Sequence, residues 1–503
     1  MANENGIYGE GAGGVNVLPP ASRHAASFRL INRSYGNIMI RIGGHYFPKR
    51  TLLLVVCESL LILFSLLMAT SLRFMNIAVI QDYLSEPRNW LRFVLVTTIC
   101  QLSLYYNDLY DLGTIKNRNA LVVHSLRAVG ITLLVLSLFY YLVPPVRLER
   151  GIVGLVAPAA IVLIVGWRLG LEATKGISGT FERVLVLGTG SQGIGLTREI
   201  LRRPELLYKV VGFLDEKGEN IGKSLVNPGI IGGVSQLEEI VESEHIDRVV
   251  ISLGERRGVM PIRQLAALKL QGLPIEEAAS VYERITGRIM LEQLRPSWLI
   301  LSEGFRKSRF LLAIKRATDI VISSLLIALT FPLMLATGIA IWIESGSPVL
   351  FRQERVGLGG RPFQILKFRS MKQGSEKGAP QWTADRDPRI TRVGNFIRKF
   401  RLDELPQLFN ILRGEMSLVG PRPEVPYFCE LLEREIPYFN QRHSVRPGLT
   451  GWAQVKYQYG ASLEEAKVKF EFDLFYIKNL SVLLDLAIIF ETAKVVLLGR
   501  GAK

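Results

Sequence analysis

Four long apolar runs, near residues 51 to 72, 90 to 107, 121 to 143 and 151 to 167, constrain this 503-residue chain more than any other feature. Each approaches the roughly 20 residues that a bilayer-spanning helix needs. The runs are separated by short polar links, so they read as a four-helix transmembrane module over 51–170. Ahead of it, residues 1–50 form a Gly-rich and then basic tail carrying Arg23, Arg29, Arg33, Arg41, Lys49 and Arg50. The first apolar run lies too far from the start for a signal peptide. The basic tail favours a cytoplasmic start, and an even number of crossings returns the chain to the cytoplasm at Arg168. The balance of 61 Lys and Arg against 45 Asp and Glu, formally +16, then points to anionic lipid and phosphate partners. No zinc-finger or RNA-binding signature accompanies the charge. Cys57, Cys100 and Cys429 form no CxxC pair, which argues against a disulfide framework or a zinc site.

Past the membrane module, VLVLGTGSQGIG is a β-branched run feeding Gly188, Gly190 and Gly193 and then a helical pattern. Asp215 closes the next strand-like run, VVGFLD, about 20 residues beyond, as in a dinucleotide fold. IDRVVISLG, at 246 to 254, reads as another buried parallel strand. A Rossmann-like α/β domain over 181–300 is therefore expected. Cofactor binding by these glycines and Asp215 is a separate matter. The segment has no Tyr-x-x-x-Lys for dehydrogenase-type proton transfer and leaves little chain for a substrate domain, so a structural or regulatory use is favoured over NAD catalysis.

A fifth apolar run, Ala317 to Ile343, is long enough to cross. Crossing would send the C-terminal part outside, although Lys307, Arg309, Lys315 and Arg316 precede the run and Arg352 and Arg355 follow it. Basic flanks on both sides favour one face for both ends, and Pro332 near the middle removes a backbone donor and permits a bend. The expectation is a re-entrant helix over about 315–343, with Lys315 pairing with Asp319 one turn on.

The chemistry concentrates in the rest. KRATDIVISSLL, GSPVLFRQERVGLGGRPFQILKFRSM, DRDPRITRVGNFIRKFRLDELPQLFNILRGEMSLVGPRPE and RPGLTGWAQV closely resemble the bacterial sugar transferases, the monotopic polyprenyl-phosphate phosphoglycosyl transferases that initiate exopolysaccharide and O-antigen synthesis. The resemblance covers 305–503 motif by motif, and the four-span and Rossmann-like parts resemble the long form of the family. Read physically, Pro406 suits the first position of a helix, and Asp403 and Glu404 lie just ahead of it. Two carboxylates beside a diphosphate repel it unless a divalent ion bridges them, and Mg²⁺ suits one or two carboxylates plus phosphates. Arg398, Arg422 and Arg446 can clamp phosphate in fixed forks.

The resemblance implies the following roles. Asp403 is the nucleophile on the β-phosphorus of a UDP-sugar, releasing UMP. Glu404 holds Mg²⁺ with it, and Arg398, Arg422 and Arg446 bind phosphate. Polyprenyl phosphate then takes the phosphosugar, at the cytoplasmic face of the bacterial inner membrane, in a protein expected to be a homodimer. Lys367 and Arg369 suit nucleotide phosphate or a basic surface strand. Gly357, Gly359 and Gly360 suit an anion nest or a tight hairpin, and His443 reads as a surface residue. Phe331 stands before Pro332 where well-known small members have Ser, and Leu480 where the family often has Trp. Two rivals are a membrane-anchored nucleotide-sugar dehydratase or epimerase, resting on the Gly188–Gly193 loop, and a non-catalytic assembly scaffold. No motif reads which sugar is carried.

Overall fold

The computed structural model describes residues 39–42, 45–110, 118–178, 181–253, 260–293, 300, 302–374, 387–457 and 462–497. The basic tail before Met39 lies outside them. The chain enters through a hairpin, β1 (Met39–Ile42) and β2 (His45–Pro48), paired antiparallel. A helical bundle follows, with helices Lys49–Phe74, Pro87–Tyr106, Arg118–Leu142 and Arg150–Ser178 and a short helix Ile77–Ser85 after the first. Their inner faces close around Leu66, Ala69, Phe93, Leu104, Ala128 and Ile152. Leu60, Leu91, Leu134 and Val162 on the outer faces are mostly exposed, the pattern of a bundle whose surroundings are themselves apolar.

Among the described residues, length and apolarity mark four helices as able to span a membrane: Lys49–Phe74, Asn119–Leu142, Arg150–Leu171 and Arg309–Ser345. This differs from the expected set. The run near 90 to 107 does form the helix Pro87–Tyr106, but Arg88, Arg92, Thr97, Thr98 and Gln101 dilute its apolarity, and the long helix of the C-terminal part takes the fourth place. Inside the bundle Glu58 is fully buried and paired with Arg168 at 2.5 Å. Arg168 also donates to the Leu109 carbonyl, and the Tyr110 hydroxyl donates to Glu58. A buried pair is tolerable when its remaining donors and acceptors are met in this way.

The expected Rossmann-like part is a five-stranded parallel sheet of β3 (Glu182–Leu187), β4 (Tyr208–Asp215), β5 (Ile230–Gly233), β6 (Arg248–Ile251) and β7 (Ile275–Glu277), in the order β5-β4-β3-β6-β7. The order reverses beside β3, the usual crevice of such sheets. Central-strand residues Val184, Val186, Phe213 and Val250 pack against the helices Ser191–Arg202 and Ala278–Thr286 on one face. Leu185, Leu187, Leu214 and Val249 pack on the other.

The C-terminal part is built on the 37-residue helix Arg309–Ser345. Next comes an antiparallel hairpin of β8 (Leu350–Val356) and β9 (Pro362–Phe368), with Leu350 opposite Phe368. Gly359 and Gly360 have φ of 65° and 77° in its turn, so of the two readings of this glycine cluster the structure has the hairpin. A short parallel pair, β10 (Ser417–Val419) and β11 (Gly448–Thr450), lies among helices Arg392–Lys399, Gln407–Arg413, Pro426–Glu435, Leu463–Asn479 and Val482–Leu497. The core holds Trp452, Phe470, Phe475, Tyr476 and Leu484. Leu480 is buried with them, which keeps that position away from a headgroup layer.

The long helix is gripped at both ends by this part. Near its start Arg316 donates to the carbonyls of Ile411 and Leu412, and Lys315 donates to Val419 and pairs with Asp485 at 2.6 Å. The expected Lys315–Asp319 pair is not formed. Asp319 instead accepts from the Ser417 hydroxyl and the Leu418 amide, since both side chains find buried partners off their own helix. At its far end Glu344 accepts from the amides of Arg392 and Val393, and Ile341 packs with Phe368 and Ile397. Leu325, Leu329, Phe331 and Leu335 between the two grips are more than half exposed.

Candidate active site

The RLDELPQL segment turns sharply before its acids. Arg401 has φ 58°, a left-handed conformation uncommon for a residue with a Cβ. It caps a single turn, Leu402–Glu404, that runs through Pro406 into the helix Gln407–Arg413. Leu408 and Ile411 sink into the core and Leu405 packs beside them, so the acids are fixed by the burial of the residues after them.

Glu404 is buried at the meeting point of three cations. Its Oε1 accepts from Arg422 Nη2 at 2.8 Å and from Lys367 Nζ at 3.3 Å, and Arg401 Nη1 lies 3.9 Å away. Burial alone would raise the Glu404 pKa, but Arg422, Lys367 and Arg401 outweigh it and hold the carboxyl well below the usual range. Asp403 moves the other way: burial and then the neighbouring Glu404 charge raise it, against Lys367, Arg401 and Arg422. Burial lowers the Lys367 pKa, opposed by Glu404. Among the described residues no side chain donates a hydrogen bond to the Asp403 carboxylate. The result is an acid held toward its ionised form by clamping cations, next to an acid whose oxygens accept no hydrogen bond among the described residues.

A magnesium ion is testable against this donor set. No group of three or more His, Cys, Asp or Glu side chains able to hold a metal occurs among the described residues. Asp403 and the edge of Glu404 away from its clamps could give one or two carboxylate oxygens, with phosphates and water completing the shell, the mode Mg²⁺ favours. The residues present fit that kind of ion.

The other expected site residues divide. Lys367 and Arg422 converge on Glu404. Arg398 ends the helix Arg392–Lys399, one turn before the acids and half-buried. Arg446 donates to the Gly414 carbonyl at 3.0 Å, at the C-terminus of the helix that begins beside Asp403. Arg369 faces elsewhere: its Nη2 donates to the carbonyls of Ser345 and Gly346 and to the Ser345 hydroxyl. A guanidinium there complements the C-terminal carbonyls and dipole of the long helix, which explains a buried arginine without an acid beside it. Burial pushes the His443 pKa down to about 4, with Arg442 adding to it, so a neutral ring sits 3.9 Å from Cys429 Sγ. Sequence reasoning missed Arg401, whose only signal was its place two residues before Asp403. It used Arg355 only as a basic flank of the long apolar run and did not single out Arg442, because both reach the site's loop from distant segments.

The Rossmann-like glycines are used by the chain itself. Gly188 has φ 106°, and a Cβ there would meet Ser252 O at 2.8 Å; one on Gly193 would meet Ser252 Oγ and Val186 Cγ1. At the start of the helix Ser191–Arg202, where a pyrophosphate would rest, the Ser191 hydroxyl donates to Glu292 Oε2 at 2.6 Å. Asp215 is buried and accepts from the Glu219 amide at 3.0 Å, closing its own turn.

With this geometry in place, the chain can be set beside known proteins. Residues 310–499 match the model of a family described as bacterial sugar transferase, and residues 106–260 match one described as a CoA-binding domain. The chain is 46% identical over 241 residues to a UDP-N-acetylgalactosamine-undecaprenyl-phosphate N-acetylgalactosaminephosphotransferase of Aeromonas hydrophila, covering 48% of this chain and 56% of that protein. It is 34% identical over 335 residues to an undecaprenyl-phosphate glucose phosphotransferase of Komagataeibacter xylinus, covering 64% and 60%. Against a UDP-glucose:undecaprenyl-phosphate glucose-1-phosphate transferase of Xanthomonas campestris pv. campestris, identity is 32% over 361 residues, covering 69% and 74%. The match thus spans less than two thirds of the first two relatives and about three quarters of the third.

Proposed function

Because this chain belongs to the bacterial sugar transferase family, we propose that it transfers a sugar-1-phosphate from a UDP-sugar to polyprenyl (undecaprenyl) phosphate. UMP is released, and a polyprenyl-diphosphate-sugar forms as the first membrane step of exopolysaccharide or O-antigen assembly. The observation that carries this reading is the division of labour between adjacent acids: Glu404 under Arg422, Lys367 and Arg401, and beside it Asp403, whose oxygens accept no hydrogen bond among the described residues. In the proposed reaction an Asp403 oxygen attacks the β-phosphorus, the bond from that phosphorus to the bridging oxygen breaks, and UMP leaves with the electron pair. An oxygen of polyprenyl phosphate then attacks the same phosphorus and the Asp403 carboxylate departs. Arg422 and Lys367 lie where they can share charge with the diphosphate as it leaves. Mg²⁺ held by Asp403 and Glu404 would neutralise diphosphate charge and so permit a carboxylate to approach it. Arg398 and Arg446 remain candidates for phosphate, and the Rossmann-like part for a regulatory or structural role.

The long helix is proposed to be re-entrant, placing the active site on the cytoplasmic face of the inner membrane. At about 1.5 Å per residue its two gripped ends would be roughly 43 Å apart if straight, more than the ~30 Å hydrocarbon core. That one domain holds both ends by hydrogen bonds, at Arg316 and at Glu344, supports the reading that both lie on one face of the bilayer. Pro332 lies in the exposed stretch between them. Cysteines placed at Ser308 and Lys372 should label from the cytoplasmic side alone; labelling from opposite sides would make the helix a true span. The homodimer implied by the resemblance is checked by light scattering of the solubilised protein.

The activity is tested by incubating nanodisc-embedded protein with a panel of UDP-sugars and undecaprenyl phosphate and following UMP. With UDP-sugar alone, mass spectrometry should find a phosphosugar on the peptide containing Asp403. UMP release without that adduct, together with ternary-complex kinetics, would leave Asp403 a metal ligand or base. Silence with every UDP-sugar, with NAD found bound, would favour the dehydratase or epimerase reading.

A further inference from the structure

The loop that carries Arg422 has no means of holding itself. In Gly420–Pro421–Arg422–Pro423–Glu424 the two prolines have no amide hydrogen, and the loop runs from β10 to the helix Pro426–Glu435. Yet four successive carbonyls are held by three other segments, two of them by adjacent residues of β8. Pro421 O accepts from the Gly448 amide at 2.9 Å and Glu424 O from the Val356 amide at 3.0 Å. Arg422 O accepts from Arg442 Nη2 at 2.9 Å, and Pro423 O from Arg355 Nη1 at 3.0 Å.

Of these donors Arg442 is the one bound to the backbone of Arg422 itself. It is buried, and the same Nη2 donates to Asp473 Oδ2 at 3.0 Å. Its Nη1 lies 3.8 Å from Glu424, and its guanidinium stacks over the Phe439 ring at 4.8 Å. Asp473 is buried in the helix Leu463–Asn479 and leans on the core through its neighbours Phe472 and Leu474. Among the described residues Arg442 bonds the Arg422 carbonyl and Asp473, with Glu424 and Phe439 beside it, and makes no contact with Asp403 or Glu404. An arginine held on one side by a rigid helix and on the other by a carbonyl fixes where that carbonyl's own side chain begins.

We propose that Arg442, anchored by Asp473, is a positioning residue that aims the Arg422 guanidinium at Glu404 and toward the diphosphate bound beside them, without touching substrate. The assignment rests on the transferase reading given above. A lysine at 442 keeps the charge but lacks the guanidinium plane that stacks on Phe439 and the second nitrogen near Glu424, which together fix Nη2 between Arg422 O and Asp473, so the loop should drift. Displacements of about 1 Å near reacting groups cost on the order of 10²-fold in rate.

The test is a double-mutant cycle on the full chain in nanodiscs, read as UMP release from the UDP-sugar that supports the wild-type rate. Arg442→Lys and Arg422→Ala are each expected to lower kcat, with KM for UDP-sugar changing less. Because Arg442 acts only through Arg422, the Arg442→Lys change should cost almost nothing further in the Arg422→Ala background. Asp473→Asn retains an acceptor for Arg442 and should lose less than Arg442→Lys in the wild-type background and likewise nothing in Arg422→Ala. Equal losses in both backgrounds would overturn the proposal, because they would mean a structural effect or direct contact with substrate. If Arg442→Lys does not fold, the same cycle run with Asp473→Asn decides the matter by the same criterion. A wild-type protein silent with every UDP-sugar would instead defeat the transferase reading, so the two failures are distinct.

Discussion

Two buried ionic clusters in this molecule look alike and differ in their balance. In the Rossmann-like part Arg248 pairs with Glu182 and Glu276, and Arg284 also binds Glu276: two cations meet two acids, and each finds its partner within the domain. In the C-terminal part Lys367, Arg401 and Arg422 all converge on Glu404, with Asp403 the other acid. The same contrast holds for the motifs nearby. The Gly188–Gly193 loop is packed by Ser252 and faced by Glu292, while the Asp403 carboxylate has no donor among the described residues. A balanced cluster is complete as it stands. One with more cations than acids is suited to a further anion, and a diphosphate supplies it.

The sharpest way to break this comparison is to remove one acid from each side. Asp403→Asn keeps the shape and loses the attacking charge, so UMP release should fall on the order of 10⁴-fold. Asp215→Asn should leave the rate essentially unchanged, since Asp215 bonds its own turn and the Thr189 hydroxyl of the glycine loop, all within the Rossmann-like part. Comparable losses from both would mean that the glycine loop takes part in the reaction.

Next in size are the clamps. Lys367→Met and Glu404→Gln should each cost about 10²-fold, and Glu404→Gln should also raise the Mg²⁺ concentration needed for half-maximal rate. On the other side Gly193→Ala puts a methyl against Ser252 Oγ and Val186 Cγ1. Overpacking of this kind costs about 1–3 kcal/mol, seen as a lower melting temperature with kcat preserved. A lowered kcat with unchanged melting would reverse the assignment.

What the sequence made legible follows the range of the interactions. Asp403, Glu404 and Pro406 are near neighbours, and the apolar, β-branched runs of β3 and β4 are local, so both could be read directly. Lys367 and Arg422 could be suspected as basic residues in marked blocks, but their meeting at one oxygen depends on β9 and the β10 loop folding together. Arg369 was unreadable for the opposite reason: its three acceptors belong to the end of the long helix, so its charge serves helix termination. The distinction between Pro87–Tyr106 and the more apolar helices turned on a few polar residues within a long run, which a search for apolar stretches passes over.

A third test separates the two parts. Removing residues 1–300 should leave measurable UMP release, because each proposed phosphate-handling group lies beyond them. It should also lower stability, since Trp452 Nε1 loses the Gly287 carbonyl and Lys478 loses Glu283. Folded but fully inactive protein would show that the N-terminal half contributes to the reaction.

The smallest expected effect lies at the seam between the parts, where Glu471 of the helix Leu463–Asn479 meets Arg288. Burial pushes its pKa up to about 7, with Arg288 and the Leu291 amide pulling against the shift. In the unfolded chain a glutamate titrates near ~4.3, so between that value and about 7 the folded seam binds more protons than the unfolded one. Its stability must therefore fall as pH rises through this window and level off above it. Glutamine cannot ionise but can still accept from the Leu291 amide at 3.2 Å. Glu471→Gln should accordingly flatten the dependence and make the seam a few-fold less prone to open at pH 8. Hydrogen exchange of the Ile289 and Leu291 amides, which bond the Glu471 carbonyl and carboxylate, reads this locally once intrinsic rates are corrected for pH. Parallel pH curves for the two proteins would show that Glu471 titrates as an ordinary surface acid. A variant that opens more readily at pH 8 would show that its ion pair with Arg288 outweighs the cost of burying the charge, and the seam would then join the clamped Glu404 as a place where cations prevail over desolvation.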